Sequence, residues 1–196
     1  MLGTFILWYG WYGFNAGSAL LLGGPEAGDI AALAAVNSTI AAAFGGIVAL
    51  AGRLVYLERR TGEVIYDVQY MMNGTLSGLV AITAGCGVVE PWASAVIGCV
   101  AGLLYLLASP ALAALCIDDA VEAIPVHMVN GLWGVVAVGL LASPSRLVAT
   151  YGRDDHPGLF YSWHAGDSDA VLLGTQLVGI ICIATWVTGV MFPFFI

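Results

Sequence analysis

The sequence predicts an all-α polytopic membrane protein with about six transmembrane helices. Three observations carry this. Of the 196 residues, 60% are hydrophobic and only 9% are charged, whereas soluble domains carry about 25% charged residues. The mean hydropathy of +0.94 leaves too little polar surface to cover a globule in water. Apolar stretches of about 20 residues, the length that crosses a bilayer, recur along the chain. The lipid bilayer is therefore the solvent, and inside it only structures that satisfy their own backbone survive.

The spans are predicted at 3–22, 30–57, 70–89, 92–116, 121–142 and 171–196. Connections between them are short, except for 143–170. That segment holds Pro144, Arg153, Asp154, Asp155, His156, Pro157, Asp167 and Asp169 and reads as a solvated loop, with Asp167 and Asp169 as caps for the last helix. Lysine is absent, and the basic residues are Arg53, Arg59, Arg60, Arg146 and Arg153. Arg53, Arg59 and Arg60 lie between spans two and three. By the positive-inside rule that side is cytoplasmic, which puts both chain ends there too. The first span starts two residues after Met1 with no charged leader, unlike a secretory signal, and the last runs to Ile196. These abrupt ends suggest a piece of something longer.

A net charge of −8 argues against nucleic acid as a partner. It also provides no polybasic anchor for anionic lipid. Cys86, Cys99, Cys116 and Cys182 lie in or beside apolar runs without metal-ligand spacing, and read as small buried residues. No pattern asks for a metal or a cofactor. Gly13 with Gly17, and Gly98 with Gly102, have the small-xxx-small spacing that lets helices approach closely in lipid.

An ionisable side chain inside a span is costly and needs a reason. Asp118 and Asp119 precede span five, where a helix start favours acidic residues, and Glu122 is expected in the first turn. His127 follows Asp119 by about 12 Å of helix, which places it near the middle of a core about 30 Å thick. Pro125, two residues before it, is positioned to kink the helix. On an α-helix His127, Asn130, Gly131 and Gly134 share one small, polar face. Such a face suits either a narrow pathway or a histidine hydrogen-bonded across a tight helix contact.

Span one carries Trp8, Trp11, Phe14 and Ser18 at helical spacing. Aromatic stripes of this kind are commonly core, yet aromatic faces also attract cations. Phe14 lies about 16 Å along the helix from Gly3, and Ser18 about 22 Å. Serine, then an aromatic, then a midplane histidine is an order suited to cation recruitment into a pore. Span two holds Asn37, Ser38 and Thr39, expected to hydrogen-bond between helices.

The stretch Gly3-Thr-Phe-Ile-Leu-Trp-Tyr-Gly-Trp-Tyr-Gly-Phe-Asn-Ala-Gly-Ser18 resembles the signature of the ammonium transporter family. The Asn37 span, Ala84-Gly-Cys-Gly-Val-Val-Glu-Pro-Trp-Ala93, Asp118-Asp119 to His127 with Gly131 and Gly134, and Gly166-Asp-Ser168 with Gln176 agree in order and spacing. The Val-Val-Glu-Pro-Trp stretch is similar to the plant and algal branch. The resemblance implies a fold of eleven helices built from inverted repeats, of which residues 1–196 form a single partial transmembrane domain matching spans six to eleven. It further implies a non-enzymatic protein that passes ammonium or ammonia through each subunit of a homotrimer, in the plasma membrane. Residue by residue, Phe14 matches a gate phenylalanine, Ser18 the serine of the outer recruitment site, Trp11 a tryptophan beside the pore, and His127 the second of two pore histidines. The family usually has glycine after that histidine, where this chain has Met128. Asn130 and Asp119 are expected to support the pore face and to cap the helix.

Two other classes stay open at this stage. An intramembrane serine protease would pair Ser18 with His127, although Ala19 follows the serine and no nucleophile turn is evident. A non-transporting structural membrane fragment is the other.

Overall fold

The computed structural model describes residues 1–18, 25–166 and 168–195, and among them it is helical with no strand. Six long helices occupy the six expected positions: α1, Leu2–Ser18; α2, Pro25–Thr61; α3, Val68–Thr83; α4, Pro91–Ala114; α5, Asn130–Leu141, which continues a π-helical turn Ile124–Val129; and α8, Val171–Met191. Two short helices, α6 (Pro144–Tyr151) and α7 (Leu159–His164), lie between α5 and α8. Among the described residues, four segments are long and apolar enough to cross a membrane: Gly28–Thr61, Pro91–Ala114, Ile124–Leu141 and Val171–Phe194. With 17 and 16 residues, α1 and α3 are shorter.

Sequence chemistry sets the helix ends. Asp67 caps α3 by accepting from the Tyr70 N–H at 3.4 Å. Pro91 opens α4, where a missing N–H costs nothing. At 37 residues, α2 is longer than its predicted span. It runs about 55 Å and so leaves the hydrocarbon core, carrying Arg59 and Arg60 in its last turn, where cations favour the helix dipole.

The centre of the fold is α2, α3 and α4 packed backbone to backbone. A Cβ on Gly78 would stand 2.2 Å from the Ala41 carbonyl oxygen, and one on Gly98 would stand 2.4 Å from the same atom. Gly102 meets the Gly45 carbonyl at 2.6 Å in the same sense, and Gly134 of α5 meets that of Ala81 in α3 at 2.4 Å. In lipid there is no hydrophobic force between helices, so close van der Waals contact and polar cross-links hold them. Asn37 supplies a two-bond cross-link. Its Nδ2 donates to the carbonyls of Cys86 (2.8 Å) and Val89 (2.9 Å) across the bundle. Asn15 donates to Ser38 at 2.7 Å, and Tyr12 pairs with Thr39 at 2.8 Å, so the polar run of span two ties α1 to α2 as expected.

Several expectations need correction. The segment 143–170 is not simply a solvated loop. It folds back into α6 and α7, with Leu147 and Ser162 buried and the Gly158 N–H donating to the Ala142 carbonyl at 2.9 Å. The apolar and small residues interspersed among its charges provide that contact. Cys86 is buried and Cys99 half-buried, whereas Cys116 and Cys182 are exposed, because Cys116 lies past the end of α4 and α8 buries none of its residues. Span three ends at Thr83, and residues 84–88 form turns. Asp169 does serve the last helix, accepting from the Val171 N–H at 2.8 Å. Asp167 lies outside the described residues.

Candidate functional site

One end of the bundle gathers the end of α1, the end of α3, the start of α4 and α6. Trp11 donates from Nε1 to Thr83 Oγ1 at 2.9 Å, which fixes α1 on α3. Its ring lies 5.7 Å from that of Phe14, tilted by 47°. Phe14 is 58% exposed. Ser18 donates to the Phe14 carbonyl at 2.7 Å, so its oxygen keeps free lone pairs at an exposed position.

Beside these residues Glu90 and Arg146 form a bidentate pair, with Nε to Oε1 at 2.8 Å and Nη2 to Oε2 at 3.0 Å. Ser143 adds a third bond at 3.2 Å. The guanidinium holds the Glu90 carboxyl below the ordinary carboxylate range, and the carboxylate raises Arg146 in turn. This pair clasps α6 onto the start of α4. Further along the same loop, His156 Nδ1 sits 2.6 Å from Asp169, and its proximity lowers the Asp169 carboxyl.

His127 lies within the π-helical turn Ile124–Val129. Asp119 caps that turn from below, accepting from the Ala123 N–H (2.9 Å) and the Ile124 N–H (2.7 Å). Pro125 has no N–H to donate, and Asn130 Nδ2 bonds the Pro125 carbonyl at 2.8 Å. The wide turn separates residues that an α-helix would align. His127 and Met128 are exposed, whereas Asn130 and Gly134 are buried. The predicted common face of His127, Asn130, Gly131 and Gly134 is therefore divided: Gly134 packs on α3 and His127 looks outward.

Glu122 is not in the first turn of an α-helix. It precedes the π turn at φ +55°, and its carboxylate reaches back into the bundle. It accepts from Asn73 Nδ2 at 2.6 Å, from Ser109 Oγ at 2.5 Å and from the Tyr105 hydroxyl. Tyr70 continues the cluster at 3.4 Å from Ser109, and Arg53, paired with Asp67 at 3.2 Å, lies 4.3 Å from the Tyr70 ring centre. Sequence reasoning missed this inner cluster. Its signal was present in Asn73 and Tyr105, polar groups placed within apolar spans.

A helical bundle joined through backbone contacts, with apolar exteriors and polar groups aimed inward, defines an integral membrane protein of several spans. Comparison with known proteins makes this specific. The model of the Ammonium Transporter Family matches residues 1–196, and the chain belongs to that family. It is 38% identical over 196 residues to ammonium transporter Amt2 of Archaeoglobus fulgidus, covering 100% of this chain and 38% of that protein. It is 37% identical over 198 residues to ammonium transporter 1 member 1 of Arabidopsis thaliana, covering 97% and 38%. The crystal structure of Saccharomyces cerevisiae Mep2 superposes with a TM-score of 0.79 at 30% identity, over 96% of this chain and 38% of that one. The chain thus spans well under half the length of these relatives. The archaeal and plant identities are too close to single out the plant branch.

Proposed function

We propose that this chain forms part of the wall of a hydrophobic pore that carries ammonium or ammonia across a membrane. Ser18 is the outer recruitment hydroxyl, Phe14 a gate, Trp11 its neighbour and support, and His127 the midplane proton-handling group. Asn130 and Asp119 hold the helix around His127. The observation that best supports this is where the fold leaves these side chains. Phe14, Ser18 and His127 are exposed on the chain, outside the tight α2–α4 packing that buries Asn37 and Ser38.

The physical logic is consistent. An ammonium ion is costly to bring into the membrane core. Lone pairs on Ser18 and an aromatic face offset part of that cost at the outer end. A dry interior favours the neutral form of a titratable group, so passage is easier once a proton is given up. An imidazole is suited to accept or relay that proton.

Residues 1–196 act as one transmembrane domain within a larger pore unit, with homotrimers as the assembled form and the plasma membrane as their site. Arg59 and Arg60 at the end of α2 favour a cytoplasmic position for that end and for both chain ends. Alone, the 196 residues do not conduct, since they cover 38% of the length of relatives such as Amt2.

The test is growth rescue of an ammonium-uptake-deficient yeast by the full-length gene, beside His127→Ala and Phe14→Ala. Rescue that both substitutions alter is the expected result. No rescue despite surface expression overturns the proposal.

A further inference from the structure

The segment that carries His127 is unusual in three linked ways. Its helix is π rather than α over Ile124–Val129. Glu122, two residues before it, is a non-glycine at φ +55°, a conformation that persists only when its surroundings over-determine it. The backbone donors at the start of the turn are satisfied by two acidic residues. Asp119 takes the Ala123 and Ile124 N–H groups, Pro125 has none, and the Glu122 carbonyl takes Val126 N–H at 3.1 Å.

Glu122 is over-determined by its side chain. Asn73 of α3 and Tyr105 of α4 converge on Oε2, and Ser109 of α4 takes Oε1. Tyr105 is fully buried, so this anchor stands on the packed bundle. All three partners are neutral donors, and the nearby cation, Arg53, is engaged by Asp67. Thus one residue grips α3 and α4 with its side chain and, through its carbonyl, accepts an α-type bond from Val126 at the head of the π turn.

We propose that Glu122 is a positioning residue: its grip on α3 and α4 sets the register of the π turn and so aims His127 away from the packed face. The proposal rests on the reading of His127 as a pathway residue only for its effect on transport. Its structural content is independent of that reading.

The geometry separates position from charge. In Glu122→Gln an amide oxygen at the Oε2 place still accepts from Asn73 and Tyr105. Its NH2 then faces Ser109, whose hydroxyl can rotate to accept. In Glu122→Ala all three donors lose the carboxylate that joins them.

The experiment uses the full-length protein in nanodiscs with isotope-labelled histidine, the His127 ring signal being assigned by its loss in His127→Ala. Uptake of methylammonium per surface-expressed protein is measured in parallel. Glu122→Ala is expected to shift or broaden the His127 signal and to cut the maximal uptake rate tenfold or more, with KM changed less than threefold. Glu122→Gln should leave the signal in place and uptake within threefold of wild type. In a His127→Ala background, Glu122→Ala should add no further loss.

An unmoved His127 signal in Glu122→Ala overturns the proposal, as does a Glu122→Gln variant as impaired as Glu122→Ala. If Glu122→Ala does not fold, Ser109→Ala and Tyr105→Phe replace it, each removing one donor. A graded movement of the same signal supports the proposal, and no movement in either overturns it. If the signal moves while His127→Ala transports normally, the positioning role stands and the pathway reading of His127 falls.

Discussion

Gly98 with Gly102 in α4 and Gly13 with Gly17 in α1 have the same spacing and opposite surroundings. The first pair meets the carbonyls of Ala41 and Gly45 so closely that a methyl group would collide. The second pair has nothing within 4 Å of an added Cβ. The motif states that close approach is allowed and is silent on whether a partner arrives. Around α4 the packing is backbone on backbone. Along α1 the chain is held by a few side-chain bonds, from Trp11, Tyr12 and Asn15.

This contrast can be broken most directly at the core. Gly98→Val or Gly78→Val puts side-chain atoms where a backbone carbonyl already stands, and rigid backbone cannot yield. We expect a loss of about 3 kcal/mol or more, seen as collapse of the monodisperse peak in fluorescence-detected size exclusion of the full-length protein. Survival of either variant with an unchanged thermal midpoint would mean that the α2–α4 contact is looser than described.

Asn37→Leu comes next. It removes two bonds and strands the Cys86 and Val89 carbonyls in a buried site, for an expected cost of about 2–4 kcal/mol in thermal stability. The equivalent change at Tyr12, whose bond to Thr39 is exposed, should cost under about 1 kcal/mol. Equal losses would erase the distinction between core and periphery.

The Glu90–Arg146 clasp gives a smaller, pH-dependent effect. The folded Glu90 carboxyl is held below its ordinary value, so its contribution is present above the unfolded carboxylate range and is lost as pH falls from there through the lower folded value. With side chains 22% and 39% exposed, screening limits this to about 1 kcal/mol. Arg146→Ala should lose midpoint stability relative to wild type at neutral pH, and the two should converge as pH drops below about 4. A gap that persists at low pH would exclude the ion pair as its source.

The smallest effect is expected at Gly13→Ala and Gly17→Ala, within about 1 kcal/mol of wild type and on the stabilising side, through helix propensity. Marked destabilisation would show that another part of the assembled protein covers that face.

Some features were legible because they depend on local chemistry. The apolar runs placed six helices, Asp119 and Asp169 announced their capping roles, and the Asn37-Ser38-Thr39 run announced interhelical bonds. Boundaries were less legible, since a helix such as α2 continues past the hydrocarbon edge wherever its backbone stays satisfied. The candidate site was legible in its residue types, His127, Phe14 and Ser18, and not in its shape. Periodicity assumes 3.6 residues per turn, and the π turn at His127 departs from that locally.

By itself, then, the sequence determined the solvent, the positions of the six long helices, the family and the side chains that stand out as costly in lipid. Each of these follows from composition or from spacing within one segment. The tertiary structure alone decided which glycines touch, that Glu122 leaves its helix to join Asn73, Tyr105 and Ser109, and that His127 parts company with Asn130. Those outcomes depend on groups far apart in the chain competing for the same donors, acceptors and space, and no local pattern records who wins.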